Sequence, residues 1–166
     1  MIRRYEERDV KVMADIWNEV VAEGNAFPQE DELTYEEASL FFASQTYCGV
    51  FETGGVIKGL YILHPNNVGR CGHISNASFA VSKDSRGLHI GAKLVADCLL
   101  QAERAGFGIL QFNAVVEDNV HARHLYERLG FKSLGVIEKG FRMPDGTYKN
   151  ICPYYRETGD INGNDQ

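Results

Sequence analysis

The apolar residues of this chain do not keep one spacing, and the order in which the spacing changes narrows the fold most. Val12, Ile16, Val20 and Val21, with Met13 and Trp17 beside them, follow the period of a helix face, and Asp9 stands where a helix cap belongs. Gly24-Asn25 should end that helix, and Thr34 with Glu37 reads as a capping box for a second one through Phe42. Strand-like runs then follow over 47–52 and 56–63 around Thr53-Gly54-Gly55, a hairpin signal, and over 73–82. The helical period returns on Leu88, Ala92, Val95, Leu99 and Ala102 until Gly106. A strand over 109–116, a helix over 119–129, and strands over 131–138 and 148–156 complete the pattern, with a short edge strand over 2–6 in front. The order β-α-α-β-β-β-α-β-α-β-β predicts an α+β domain: one mixed, mostly antiparallel sheet with helices on both faces. That domain should cover 1–157, and the polar stretch 158–166, with Ile161 its one candidate core residue, reads as a flexible tail.

Composition removes several function classes. At 166 residues the chain is large enough for one real core. A net charge of −6 disfavours a nucleic-acid surface, which needs clustered lysine and arginine. No apolar run reaches the roughly 20 residues of a membrane span, so no membrane contact is expected. Cys48, Cys71, Cys98 and Cys152 are widely spaced, without a C-x-x-C pair, and read as reduced thiols in a cytoplasmic protein. His121 and His124 lie three apart on a helix with no third ligand nearby, so no metal site is expected.

Two stretches carry chemistry. "SRGLHIGAKL" follows a strand and opens a helix; its glycines can let successive amides face an anion at the positive helix end, with Arg86 adding a charge, or can merely ease the turn. "NVHARHLYERLGF" places Asn119, Ala122 and Tyr126 on one helix face, and Gly130-Phe131 then ends the helix and begins a strand.

In order and at this separation, the two stretches resemble the GNAT superfamily of acetyl-CoA-dependent N-acetyltransferases. The first is similar to that family's coenzyme loop, Arg/Gln-x-x-Gly-x-Gly/Ala, with His89 where glycine is usual; the second matches its Asn-x-x-Ala-x-x-Leu-Tyr-x-x-x-Gly-Phe helix at every named position. The resemblance implies a GNAT fold with a V-shaped splay between the fourth and fifth strands. It implies a coenzyme contact set of Phe79, Ala80, Val81, Arg86, Gly87, Leu88, His89, Ile90, Gly91, Ala92, Asn119, Ala122 and Tyr126, with acetyl-CoA as co-substrate and no metal. It further implies an amine acceptor held by Phe27, Asn76 and Asn113, with the acidic loop Glu30-Asp31-Glu32 nearby, and it leaves a homodimer open.

The same resemblance gives Tyr126 the role of general acid to the leaving thiolate, and a main-chain N–H near Val81 that of oxyanion donor. Asn76 stands where the phosphinothricin and methionine sulfoximine acetyltransferase group often has a glutamate, and "NASFAV" is similar to a yeast acetyltransferase acting on azetidine-2-carboxylate. Asn76 is therefore expected to hold the acceptor, with deprotonation through water to His73, Glu117 or solvent. The implied function is N-acetylation of a small amine, an amino acid or analogue. Acetylation of a protein N-terminus or lysine, or coenzyme sensing without catalysis, are the alternatives.

Overall fold

The structure is a computed structural model that describes residues 1–159. The described strands are β1 (Ile2–Arg4), β2 (Tyr47–Thr53), β3 (Val56–Pro65), β4 (Ile74–Val81), β5 (Ile109–Val116), β6 (Lys132–Ser133), β7 (Ile137–Arg142) and β8 (Tyr148–Glu157). They form one sheet in the order β1-β2-β3-β4-β5-β8-β6, with β7 also pairing β8. Every pairing is antiparallel except β4 with β5. Helices α1 (Val10–Glu23) and α2 (Tyr35–Ala43) cover one face around Trp17, Phe42, Leu60 and Ile62. Helices α3 (Ile90–Arg104) and α4 (Val120–Arg128) cover the other, where Leu94, Leu99, Tyr61 and Phe112 pack. The α+β sheet with helices on both faces is the expected architecture.

Local signals explain most element ends. Thr34 Oγ1 accepts from Glu37 N–H and the Glu37 carboxylate accepts from Thr34 N–H, so the capping box forms as read. Gly54 and Gly55, at φ +57° and +75°, make the two-residue turn that joins β2 and β3, a conformation closed to most side chains.

Other expectations are corrected. Asp9 does not cap α1; it ends a short 3-10 turn, accepts from Glu6 N–H at 2.7 Å and pairs with Arg3 at 2.7 Å. Val12 is 40% exposed, whereas Ile16, Val20 and Val21 are buried as expected, with Val10, Met13 and Trp17 completing the stripe. Leu88 is 63% exposed, because α3 begins at Ile90 and buries Ile90, Leu94 and Cys98. The strand expected over 131–138 splits into β6 and β7, which lie along successive parts of β8. The tail does not begin at Thr158, which is buried: its N–H reaches Gly108 C=O at 3.1 Å and its hydroxyl Phe107 C=O at 2.7 Å. Ile161 lies outside the described residues.

The Asp9–Arg3 pair yields a pH-dependent prediction. Arg3 holds the Asp9 carboxyl below its ordinary range, chiefly through their hydrogen bonds and against the opposing effect of burial. A depressed folded pKa contributes stability above the unfolded value of about 3.9, lost as pH falls through the folded one. Asp9→Asn is therefore expected to cost about 1–2 kcal/mol at pH 7, since Arg3 keeps its Glu52 partner at 2.7 Å. Melting curves of the two proteins should differ by several degrees at pH 7 and converge as pH falls through the lowered folded-state value of Asp9. A constant difference across that range would mean the carboxylate charge is not what stabilises.

One departure from regular pairing shapes the molecule. β4 and β5 are joined only at Ile74↔Ile109, Ser75↔Leu110 and Asn76↔Gln111, with the Ser75 hydroxyl adding a bond to Ile109 C=O at 2.7 Å. Beyond them β5 carries an irregularity between Phe112 and Val115 before it rejoins β8 at Val115↔Cys152. Such a bulge bends its strand. It also exchanges faces: Phe112 packs with the α3 side, whereas Ala114 and Val116 join Phe141 and Ile151 in a separate cluster. The splay expected between the fourth and fifth strands is thus present.

Candidate active site

Within the splay, the backbone of β4 lacks a partner strand. Ile74 C=O accepts from Asn66, and Ser82 N–H donates to Lys58, so even-numbered positions address β3. The N–H and C=O groups of Ala77, Phe79 and Val81 consequently point toward β5, where β5 has turned away. The gap is a cleft of about 220 Å³ lined by Phe27, Asn76, Phe79, Phe112, Asn113, Asn119, Ala122 and Tyr126, among others. All of these but Phe112 are sequence-predicted; they come from separate elements, and the fold brings them together.

Aromatic rings close one side of the cleft. Phe79 meets Phe112 edge-on at 5.6 Å, and Tyr126 packs at 4.5 Å from Phe112, 5.8 Å from Phe131 and 5.9 Å from Tyr154. This enclosure raises the Tyr126 phenol well above its usual value near 10, with the Cys98 thiol adding to the effect. Its hydroxyl has no hydrogen-bond partner among the described residues. Tyr126 is therefore a neutral donor throughout the physiological range.

The asparagines are partly committed. Asn119 is the cap of α4 rather than its first residue, and its Oδ1 accepts from Ala122 N–H at 3.2 Å. Asn76 Oδ1 accepts from Ala77 N–H at 2.7 Å, which leaves its Nδ2 as the donor toward the cleft. Asn113 donates to Asn66 Oδ1 at 2.7 Å and accepts from Gln111 at 3.1 Å. His73 is not in the cleft: it precedes the joined end of β4, and its ring lies against Gly108. Glu117 is not among the lining residues; one of its carboxylate oxygens is buried without a hydrogen bond among the described residues.

Above the cleft, the turn before α3 presents amides as the glycine pattern predicts. The first intrahelical bond is Lys93 N–H to His89 C=O, so the amides of Ile90, Gly91 and Ala92 have no acceptor within the helix. A Cβ placed on Gly91 would meet only Leu125 Cδ2, at 4.0 Å, so the fold itself does not require glycine there. That open space over unpaired amides at a helix start fits a diphosphate.

Arg86 is placed differently from the expectation. Its guanidinium turns to α1 and holds Glu23 by two bonds, at 2.7 and 3.1 Å, while Lys83 N–H donates to Glu19 at 3.2 Å. Arg86, Glu23, Asn25, Lys149 and Asp118 line a second space of about 460 Å³ that shares Phe79, Val116 and Asn119 with the rest of the site.

His89 occupies a left-handed conformation at φ +59°, which explains why glycine is usual at that position. A non-glycine residue there bears about 1–2 kcal/mol of strain. His89→Gly is expected to raise the melting temperature by about 2–3 °C after the added unfolded-state freedom is counted. Gly87→Ala, at φ +81°, should lower it. Equal melting of wild type and His89→Gly would show that the strain is relieved elsewhere.

A third space, about 840 Å³, lies on the α1 side; Phe27 and Glu30 line it as expected of the acceptor side, Asp31 and Glu32 do not, and its far wall was missed by sequence reasoning. It is walled by residues 24–30 and by the β7–β8 hairpin, with Phe27, Phe141, Met143, Pro144 and Tyr148 among its lining, and it meets the cleft at Phe27 and Pro28. The hairpin packs closely: a Cβ on Gly24 would stand 2.3 Å from Pro144 Cγ, and Arg142 pairs with Glu30 at 2.5 Å. The overlooked signal was "MPDGTY", a turn dipeptide flanked by apolar residues; Gly146 takes φ +84° in that turn.

Comparison with known proteins agrees with this geometry. Residues 13–131 match the model of the acetyltransferase (GNAT) family. The N-acetyltransferase aca1 of Schizosaccharomyces pombe is 32% identical over 139 residues, which are 72% of this chain and 66% of that protein. The chain therefore spans slightly under two thirds of that relative's length. Among solved structures, a GCN5-related N-acetyltransferase from Kribbella flavida superposes with a TM-score of 0.86 at 30% identity, over 95% of this chain and 96% of that one. A phosphinothricin acetyltransferase from Sinorhizobium meliloti, solved with acetyl-CoA, gives 0.87 at 19% identity, over 95% and 87%. Among the described residues no cluster of three metal-ligating side chains occurs, and no helix is long and apolar enough to cross a membrane.

Proposed function

The chain belongs to the GNAT acetyltransferase family, and from that premise we propose that it moves an acetyl group from acetyl-CoA to the amine of a small molecule, an amino acid or amino-acid analogue. The amides of Gly91 and its neighbours would receive the diphosphate, and the unpaired main chain of Phe79 and Val81 the pantetheine arm. The thioester would then lie in the cleft beside Tyr126. A neutral amine entering from the opposite side forms the new C–N bond, and the C–S bond breaks. The oxygen that gains charge is stabilised by a main-chain N–H of β4, that of Phe79 in the cleft rather than that of Val81, which lines the neighbouring space, and Tyr126 gives its proton to the departing sulfur. Asn76 Nδ2 orients the acceptor, and the amine's proton leaves through water. Three buried free thiols, Cys48, Cys98 and Cys152, fit a reducing cytoplasmic setting for this chemistry.

The observation that carries the small-acceptor reading is the walled space beyond Phe27. A polypeptide needs a groove along which its chain can run on, whereas here the β7–β8 hairpin packs on Gly24 and pairs with Glu30 across the space. The test is acetyl-CoA consumption with free amino acids and analogues in one set, and peptides with free N-termini or lysines in another. Turnover confined to peptides would overturn the reading.

A further inference from the structure

The lining of the acceptor-side space is chemically uneven. Its walls are apolar, built by Val21, Phe27, Phe141, Met143 and Pro144, and within its lining the only ionised side chains are Arg142 and Glu30. These two pair with each other at 2.5 Å while remaining 59% and 73% exposed. The cleft with Tyr126 meets the space at Phe27 and Pro28, whereas the ion pair stands toward solvent. An amine placed for acetylation therefore has an apolar passage behind it and a guanidinium beyond that.

We propose that Arg142 is the anchor for an anionic group at the end of the acceptor away from its amine, and that Glu30 is the stand-in partner which that group displaces. The proposal rests on the small-acceptor reading above and names its class: a zwitterion with an apolar body between amine and anion. Three observations support it. The guanidinium is the lone cation of the lining, and its planar fork suits a carboxylate or phosphinate. Its present partner is held only by an exposed pair, which contributes little and exchanges readily. The lining offers one carboxylate, already engaged, so a polyamine would leave its second ammonium unmatched.

Paired acceptors that differ only in the distal anion test this: 6-aminohexanoate against hexylamine, and 4-(aminomethyl)benzoate against benzylamine. For the wild type, KM for each carboxylate should be about tenfold or more below that of its partner amine, as one charge-assisted contact implies. Arg142→Gln should remove the difference by raising KM for the carboxylates, with kcat and the KM for acetyl-CoA unchanged. Glu30→Gln should lower KM for the carboxylates, because Arg142 loses its competitor. Equal KM values within each wild-type pair, or a difference that survives Arg142→Gln, would overturn the assignment while leaving small-amine acetylation intact. Turnover of peptides but of none of the four probes would overturn the small-acceptor reading itself.

Discussion

Tyr126→Phe is expected to lower kcat by about 10²-fold while leaving the fold and the affinity for acetyl-CoA unchanged. The ring stays, so its packing against Phe112, Phe131 and Tyr154 stays. Only the proton is removed. The apolar enclosure that raises the phenol also raises the proton affinity of a thiolate formed beside it, so donor and acceptor remain matched. The same enclosure sets the pH dependence. A phenol held above its usual value near 10 stays protonated to higher pH, so the wild-type rate should rise as the amine loses its proton and show no fall due to Tyr126 below about pH 10. Steady-state kcat from pH 6 to 10, with acetyl-CoA affinity measured in parallel, checks both statements. An unchanged kcat and profile in the variant would reduce Tyr126 to packing.

Gly91→Val should produce the second large effect, on binding rather than chemistry. Acetyl-CoA at about a hundredfold over its Kd stabilises a protein by about 2.7 kcal/mol, which for a chain of this size raises Tm by roughly 5–10 °C. In the variant that shift should vanish at the same concentration. The unliganded melting temperature should hardly move, because the space beside Gly91 is open apart from Leu125 and a helix tolerates valine about as well as glycine. The contrast matters: a mutation that cost folding would point to a structural glycine, whereas loss of the ligand shift alone points to the amides. A shift of wild-type size would remove this turn from the coenzyme site.

The parts of the molecule that were legible in the sequence are those fixed by neighbours along the chain. The Thr34–Glu37 box, the glycines that end α1 and α3, and the run that becomes β5 each depend on a few adjacent residues. So does the shared face of Ala122 and Tyr126, which a helix imposes wherever it lies. What stayed hidden depends on partners far away. Arg86 reads as a phosphate ligand until Glu23, 63 positions earlier, is found holding it. The acceptor-side space is likewise assembled from the end of α1 and a hairpin more than a hundred positions later, and its Glu30–Arg142 pair has no local signature. The bulge in β5 shows only in the packing: Phe112 and Val116 are four apart, which strict alternation would put on one face, yet they lie in different clusters.

The three-residue join between β4 and β5 has a mechanical consequence. A continuous sheet transmits force through every rung of its ladder; this one is notched, so β1–β4 and β5–β8 behave as two plates riveted at one end. A chain of amides and carbonyls laid into the notch would supply the missing rungs and turn two plates into one. The coenzyme arm is then a structural splice as well as a carrier. Its arrival should slow amide exchange along Phe79 and Val81 first, and afterwards across both plates together, as their separate opening motions merge into one.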